Sequence, residues 1–102
     1  MNQYRQGHIL LNPAPIPKHA TRKEHDRHAV IATGESGREH VFKSERVHIF
    51  MDGANLYIEI RGDDPVTLEH PEHGDIDIEP GTYRVVEQRE ADTYRAERVS
   101  FD

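Results

Sequence analysis

The sequence predicts an all-β protein: a small antiparallel barrel or sandwich of about eight short strands, in one domain over residues 1–102. Two observations predict this class. Apolar and polar residues alternate with a period of two around an Asp-Gly pair in the centre of the chain. Turn signals then recur about every eight to twelve residues along the rest of the sequence, which is typical of sandwiches and barrels.

The clearest alternation lies on either side of Asp52 and Gly53. Apolar residues occupy every second position before and after this pair: Val47, Ile49, Met51, Leu56, Ile58 and Ile60. An Asp-Gly pair between two alternating runs is the strongest short-range signal of a β-hairpin. We therefore predict a hairpin over residues 46–61 that turns at Asp52 and Gly53. The six apolar side chains should share the core face, since a slip of one residue would expose all of them.

Shorter strands are predicted around this hairpin. GHILLN is a first strand, which the prolines of PAPIP end, and AVIATG, VTLEH, DIDIE and YRVVEQRE are further strands. The glycines of GESG indicate a turn. Residues 13–28 form a connector that is first Pro-rich and then basic, and its residues 21–28 fit either a helical turn or an exposed loop. Residues 90–98 fit a closing strand or a short helix.

The composition predicts a thin hydrophobic core. Leu, Ile, Val and Phe together number 22 of 102 residues, and there is no cysteine. A small domain with few apolar residues is commonly stabilised by disulfides, a metal or association with another chain. Without cysteine, only a metal or oligomerisation could supply this additional stability.

Charge and hydropathy exclude several function classes. The net charge of −6 argues against a nucleic-acid partner, because phosphate binding needs clustered Lys and Arg. The N-terminal apolar run, residues 9–11, is too short for a signal peptide or a membrane span. We therefore expect a cytoplasmic protein with no membrane partner.

Acidic residues are concentrated between Gly62 and Tyr83, where seven acids occur without any Lys or Arg. Basic residues concentrate at 18–46 and 84–98. The distribution fits solvated outer strand faces. It also fits acidic and basic edges that attract one another between copies of the chain, which would give a charge-steered homo-oligomer.

Three motifs together carry a family resemblance. RQGHILLNP, GESGREH and the late PGTYRV with QRE resemble an uncharacterised family of small bacterial and phage proteins, in which RQGD begins a strand, a GE-T-GHxH turn follows, and PGTYRV leads into QREY. The family pattern differs at three positions, where this chain has His8, Arg38 and Ala91. The resemblance implies a compact β fold, and it implies no activity.

Histidine is the residue type best suited to form a functional site in this chain, which has eight of them. His40 precedes the hairpin, and His70 and His73 lie three apart beside Glu69 and Glu72. Neutral imidazole is a common ligand of Zn, Ni and Fe(II). These residues predict a divalent metal site, with one of the two glutamates as fourth ligand or base, in a barrel that resembles cupins in architecture only. The competing interpretation is a set of polar loop residues.

A second group of histidines, His19, His25 and His28, is expected on the surface. No catalytic nucleophile is apparent, since cysteine is absent and Ser36 with His40 has no hydrolase context. Phe50 and Tyr57 alternate with the core residues of the hairpin, so they are either contact aromatics of an interface or part of a second buried face.

Two function classes follow from these observations. The first is a non-catalytic binding or assembly module, which acts as a homo-oligomer or docks on a larger protein partner. The alternative is a metal-binding small β-barrel that binds a small ligand or performs simple metal-dependent chemistry. In the second class His40, His70 and His73 must lie within about 10 Å of one another to share an ion.

Overall fold

A computed structural model describes residues 2–34 and 37–88. Within them the chain forms ten β-strands and no helix. In chain order the strands are β1 (Tyr4–Gln6), β2 (Ile9–Pro13), β3 (Thr21–Lys23), β4 (His28–Thr33), β5 (Glu39–Lys43), β6 (Val47–Asp52), β7 (Asn55–Ile60), β8 (Val66–Glu69), β9 (Ile76–Ile78) and β10 (Gly81–Glu87). The all-β prediction is confirmed, with two more strands than the eight expected.

The strands form two antiparallel sheets that pack on each other as a sandwich and do not close into a barrel. One sheet has six strands in the order β1-β2-β10-β7-β6-β3, and the other has four in the order β4-β5-β8-β9. The radius of gyration is 13.9 Å, close to the value of about 13 Å expected for a globule of this length.

The predicted central hairpin is present as β6 and β7. Val47 pairs with Ile60, Ile49 with Ile58, and Met51 with Leu56, so the six apolar residues share one face, as predicted. The turn lies one residue later than expected, because Asp52 pairs with Asn55 and leaves Gly53 and Ala54 as the loop. Gly53 has a φ of 59°, which fits the first loop position of a type II′ turn, where glycine is favoured.

The core lies between the facing sheets. Its largest fully buried apolar side chains come from both sheets: Tyr83, Phe42, Ile9, Leu11, Ile49, Ile58, Leu68 and Ile78. The Tyr83 hydroxyl donates a hydrogen bond of 2.6 Å to the Glu79 carbonyl, so this buried polar group is satisfied. A register shift in β4 between Val30 and Ala32 places the adjacent Ile31 and Ala32 both inside, which a regular strand does not allow.

The predicted connector contains a strand. Thr21–Lys23 form β3 at the edge of the six-stranded sheet and pair with β6, so residues 21–28 are neither the helical turn nor the simple loop anticipated. Strand β3 is short and fully exposed, which explains why its sequence carries no apolar alternation.

Two other predictions concern the turn at GESG and the end of the chain. Gly34 and Gly37 close the turn between β4 and β5, because the Gly37 amide donates to the Gly34 carbonyl at 2.9 Å. The interpretation of residues 90–98 lies outside the described residues. Among the described residues, no helix has the length and apolar character needed to cross a membrane.

Candidate functional site

Four histidines from three segments meet at one end of the sandwich. His8 lies in the turn between β1 and β2, His40 lies on β5, and His70 and His73 lie in the turn between β8 and β9. Ring centroids are 5.1 Å apart for His8 and His40, 4.3 Å for His40 and His70, and 4.5 Å for His70 and His73. We call these four residues the histidine cluster. His40 is fully buried, His70 is nearly so, His8 is half-buried and His73 is exposed.

The tautomer of the neutral His40 ring follows from its contact with the buried Gln6. The Gln6 side-chain Nε2 donates to the Leu68 carbonyl at 2.9 Å and to the Gly74 carbonyl at 2.7 Å. This orientation leaves Gln6 Oε1 facing His40 Nδ1 at 2.8 Å. Because Oε1 can only accept, Nδ1 must carry the proton. Nε2 of the neutral His40 ring therefore has a free lone pair.

His40 Nε2 is buried and has no hydrogen-bond partner among the described residues. A buried polar atom without a partner costs roughly 1–3 kcal/mol. Burial, together with the neighbouring imidazoles of the histidine cluster, lowers the pKa of His40 to about 4. His40 is thus a neutral imidazole at physiological pH, with an unshared electron pair inside the protein.

His70 has the opposite tautomer. Its Nδ1 accepts the backbone N–H groups of Glu72 at 3.1 Å and His73 at 3.3 Å. In the neutral ring the proton therefore lies on Nε2. Burial, followed by the proximity of His73, lowers the pKa of His70. His70 closes the turn between β8 and β9 in the way that Asn and Asp side chains close Asx turns.

The ring of His73 lies against the backbone of Gly7. A Cβ atom at Gly7 would stand 2.6 Å from both Cδ2 and Nε2 of His73, and Gly7 has a φ of 59°. The turn between β1 and β2 thus requires glycine for two reasons. One is the left-handed backbone conformation, and the other is the space that the imidazole occupies.

We predict that Gly7→Ala displaces the His73 ring and destabilises the protein by about 1–2 kcal/mol, since alanine is disfavoured at positive φ. Gly53→Ala is the matched control, because Gly53 has the same φ of 59° and a Cβ atom there would meet nothing within 4 Å. Both variants should lose similar stability in urea unfolding, but only Gly7→Ala should shift the NMR signals of the His73 ring. If the His73 ring signals stay unshifted in Gly7→Ala, as in Gly53→Ala, the contact is contradicted.

The two candidate glutamates are engaged in ion pairs near the cluster. Glu69 lies 3.4 Å from Lys43 Nζ, and Glu72 pairs with Arg38. All four side chains are partly exposed, so the pairs contribute little stability. Either carboxylate can leave its partner at small cost.

The ring spacings of the cluster are those of ligands on a common ion, but the ring orientations are not. Two imidazoles bound to one tetrahedral ion have ring centres about 5 Å apart, because each nitrogen lies about 2 Å from the ion. His40 and His73 are stacked, 7° from parallel with centroids 6.2 Å apart. Accordingly, residues 2–34 and 37–88 contain no group of three or more His, Asp or Glu side chains whose present arrangement could hold a metal ion.

The predicted contact aromatics lie on the other side of the six-stranded sheet. Phe50 and Tyr57 pair directly across β6 and β7, and both are half-buried on the outer surface. The histidines predicted on the surface are there: His19 and His28 are exposed, and His25 is partly covered. A cleft of about 270 Å³ beside His25 is lined by side chains of both charges.

Sequence reasoning missed two residues of the site, His8 and Gln6. Interpreting GHILLN as one strand misses the tight turn at Gly7 and His8. In the structure Gln6 pairs with Ile9, so these two residues form the loop. A two-residue loop that begins with glycine is a type II′ hairpin signal, and this signal could have placed His8 at a hairpin tip. The burial of Gln6 leaves no mark in the sequence.

The fold and site together define a β-sandwich domain with a partly buried cluster of four imidazoles at one end. The chain belongs to the family described as Domain of unknown function (DUF8820), which matches residues 5–88. The expected membership of an uncharacterised family is confirmed at that level. No curated protein and no solved structure matches the chain.

Proposed function

We propose that this domain binds a divalent transition metal through the histidine cluster. The observation that carries the proposal is the buried Nε2 of His40, which has a lone pair and no partner among the described residues. A metal bound at this atom would satisfy it. Three further imidazoles have their ring centres between 4.3 and 6.2 Å from that of His40.

His40 is the fixed ligand in this proposal. Metal-binding histidines typically donate their other ring N–H to an oxygen, which sets the tautomer and the ring orientation. Gln6 has this role, since its Oε1 accepts from His40 Nδ1 at 2.8 Å. Two backbone carbonyls hold the Gln6 amide in turn, so His40 needs no rearrangement to bind.

His8 and His73 are the ligands that move. One is half-buried and the other exposed, so their rings can rotate toward His40 without disturbing the core. Glu72 adjoins His73 and can serve as a fourth ligand or base once it leaves Arg38. An imidazole-rich set of this kind suits Zn²⁺, Ni²⁺, Cu²⁺ or Fe²⁺. A bound ion would supply Lewis-acid chemistry if one of its positions stayed open.

A metal would also stabilise a domain with few apolar residues. Binding to the folded state alone adds about 2.7 kcal/mol of stability when the free metal is at 100 times its Kd. The four imidazoles are drawn from three segments that are distant in the sequence. A shared ion would therefore fasten the β1–β2 turn, β5 and the β8–β9 turn together.

The test is calorimetric titration of untagged, metal-free protein with ZnCl₂ and NiCl₂. We expect one ion per chain, and affinity about 100-fold weaker or lost in His8→Ala/His73→Ala, which removes two ligands. The matched control is His19→Ala/His28→Ala, which removes two exposed histidines outside the cluster. The proposal is wrong if the wild type binds no ion, or if the two double variants bind equally well.

A second variant separates the role of His70 from that of the ligands. His70→Asn retains an oxygen that can accept the backbone N–H groups of the turn. If His70 lines the site without binding, as its occupied Nδ1 indicates, zinc affinity in His70→Asn should stay within about threefold of wild type. A loss as large as that of His8→Ala/His73→Ala would instead make His70 a ligand.

A further inference from the structure

The outer surface of the six-stranded sheet carries two aromatic residues between two arginines. Arg22 pairs with Phe50, Phe50 with Tyr57, and Tyr57 with Arg84, along a line across β3, β6, β7 and β10. We call these four residues the arginine–aromatic row. With strands about 4.8 Å apart, its two arginines are about 14 Å apart.

Both arginines of the row are exposed and contact neutral groups. Arg22 lies 2.8 Å from His48 Nδ1, and Arg84 donates to Asn55 Oδ1 at 3.0 Å. In the part of the chain that the structure describes, neither forms an ion pair with a carboxylate. The row thus presents positive charge on a chain whose net charge is −6.

The complementary charge lies on the opposite side of the sandwich. Asp75, Asp77 and Glu79 are exposed, while Ile76 and Ile78 between them point inward. We call the three acids the acidic strand face. They lie on and beside β9, the edge strand of the four-stranded sheet. At about 3.3 Å per residue, Asp75 and Glu79 are about 13 Å apart.

We propose that the arginine–aromatic row of one copy binds the acidic strand face of a second copy. The outer acids match the spacing of Arg22 and Arg84, and the Tyr57 hydroxyl can donate to the central carboxylate. Phe50 contributes apolar area between the charges. Because the two surfaces lie on opposite outer faces of one sandwich, they can meet only between copies.

The contact is heterologous, so a pair of copies keeps one free surface of each kind. Such contacts produce rings or open chains instead of closed two-fold dimers. Since the contact depends on exposed charges, the association should weaken as salt rises and the Debye length falls from about 10 Å at 0.1 M to about 3 Å at 1 M.

The experiment is sedimentation equilibrium at low salt. Metal-free protein is used, so that the result does not depend on the proposed metal site. Arg22→Glu/Arg84→Glu removes the basic surface, and Asp75→Lys/Glu79→Lys removes the acidic one. The matched controls are Lys18→Glu/Arg27→Glu and Asp63→Lys/Asp64→Lys, which make the same charge changes at exposed positions elsewhere. Wild type and controls should associate, and each surface variant should be monomeric, with association at least about tenfold weaker.

Mixing the two surface variants gives the decisive result. Each retains one intact surface, and the two altered surfaces are again opposite in charge, so an equal mixture should associate although each variant alone is monomeric. A monomeric wild type, surface variants that associate like the controls, or a mixture that stays monomeric would each overturn the proposal. If the wild type is monomeric and a single-stranded oligonucleotide binds to the row, the row serves a different partner, and the proposal is also overturned.

Discussion

Replacing Gln6 with leucine is expected to destabilise the metal-free protein by about 3–5 kcal/mol, because each buried hydrogen-bonding group left without a partner costs roughly 1–3 kcal/mol. Gln6 is 3% exposed and makes three side-chain hydrogen bonds, to Leu68, Gly74 and His40. These bonds join β1 to β5 and to the β8–β9 segment. Leucine has a similar size and can make none of them.

Urea unfolding followed by circular dichroism measures this effect. Gln3→Leu is the control, because Gln3 is exposed and its side chain donates to Asn12 near the surface; the control should change stability by less than about 0.5 kcal/mol. A loss below about 1 kcal/mol in Gln6→Leu would show that the three bonds do not hold this end of the sandwich together.

Acidification is expected to destabilise the metal-free protein through His40. Its pKa is about 4 in the folded protein and 6.5 in the unfolded chain, so the unfolded state binds the proton first as the pH falls. The folded state is therefore favoured fully above about pH 6.5. That advantage is lost progressively between pH 6.5 and 4. At about 1.4 kcal/mol per pKa unit, the loss is about 3 kcal/mol.

The variant His40→Asn isolates this effect from the titration of the carboxylates, which both proteins share. Asparagine does not titrate, and it retains an amide that can donate to Gln6. The stability difference between wild type and His40→Asn should shrink by about 3 kcal/mol from pH 6.5 to 4. A constant difference would mean that His40 titrates alike in the folded and unfolded states. His19→Asn, at an exposed position outside the cluster, is the control variant.

The metal site predicted from the sequence consists of His40, His70 and His73, and the structure brings these three residues together. Their ring centres lie between 4.3 and 6.2 Å apart, within the limit of about 10 Å that a shared ion requires. The sequence could indicate their proximity, because turns at one end of a small β fold converge. It could not indicate that His70 uses its Nδ1 for the turn, since this role depends on local backbone conformation.

The all-β class and the core face of the central hairpin were determined by the sequence alone. In a strand, alternate side chains point to the same face of the sheet. The period of two therefore places Val47, Ile49, Ile58 and Ile60 together on the buried face. Glycine at positive φ is an equally local signal, but it placed the hairpin turn only to within one residue.

Only the tertiary structure decided which distant residues meet. Sheet order places β2 beside β10 and β3 beside β6. This order aligns Arg22 with Phe50 and Arg84 with Tyr57, although the paired residues lie far apart in the chain. The packing also places Gln6 beside His40, 34 residues later. No local preference encodes such contacts. They follow from the packing of two whole sheets, which alone determines that His8 and His40 share one end of the sandwich.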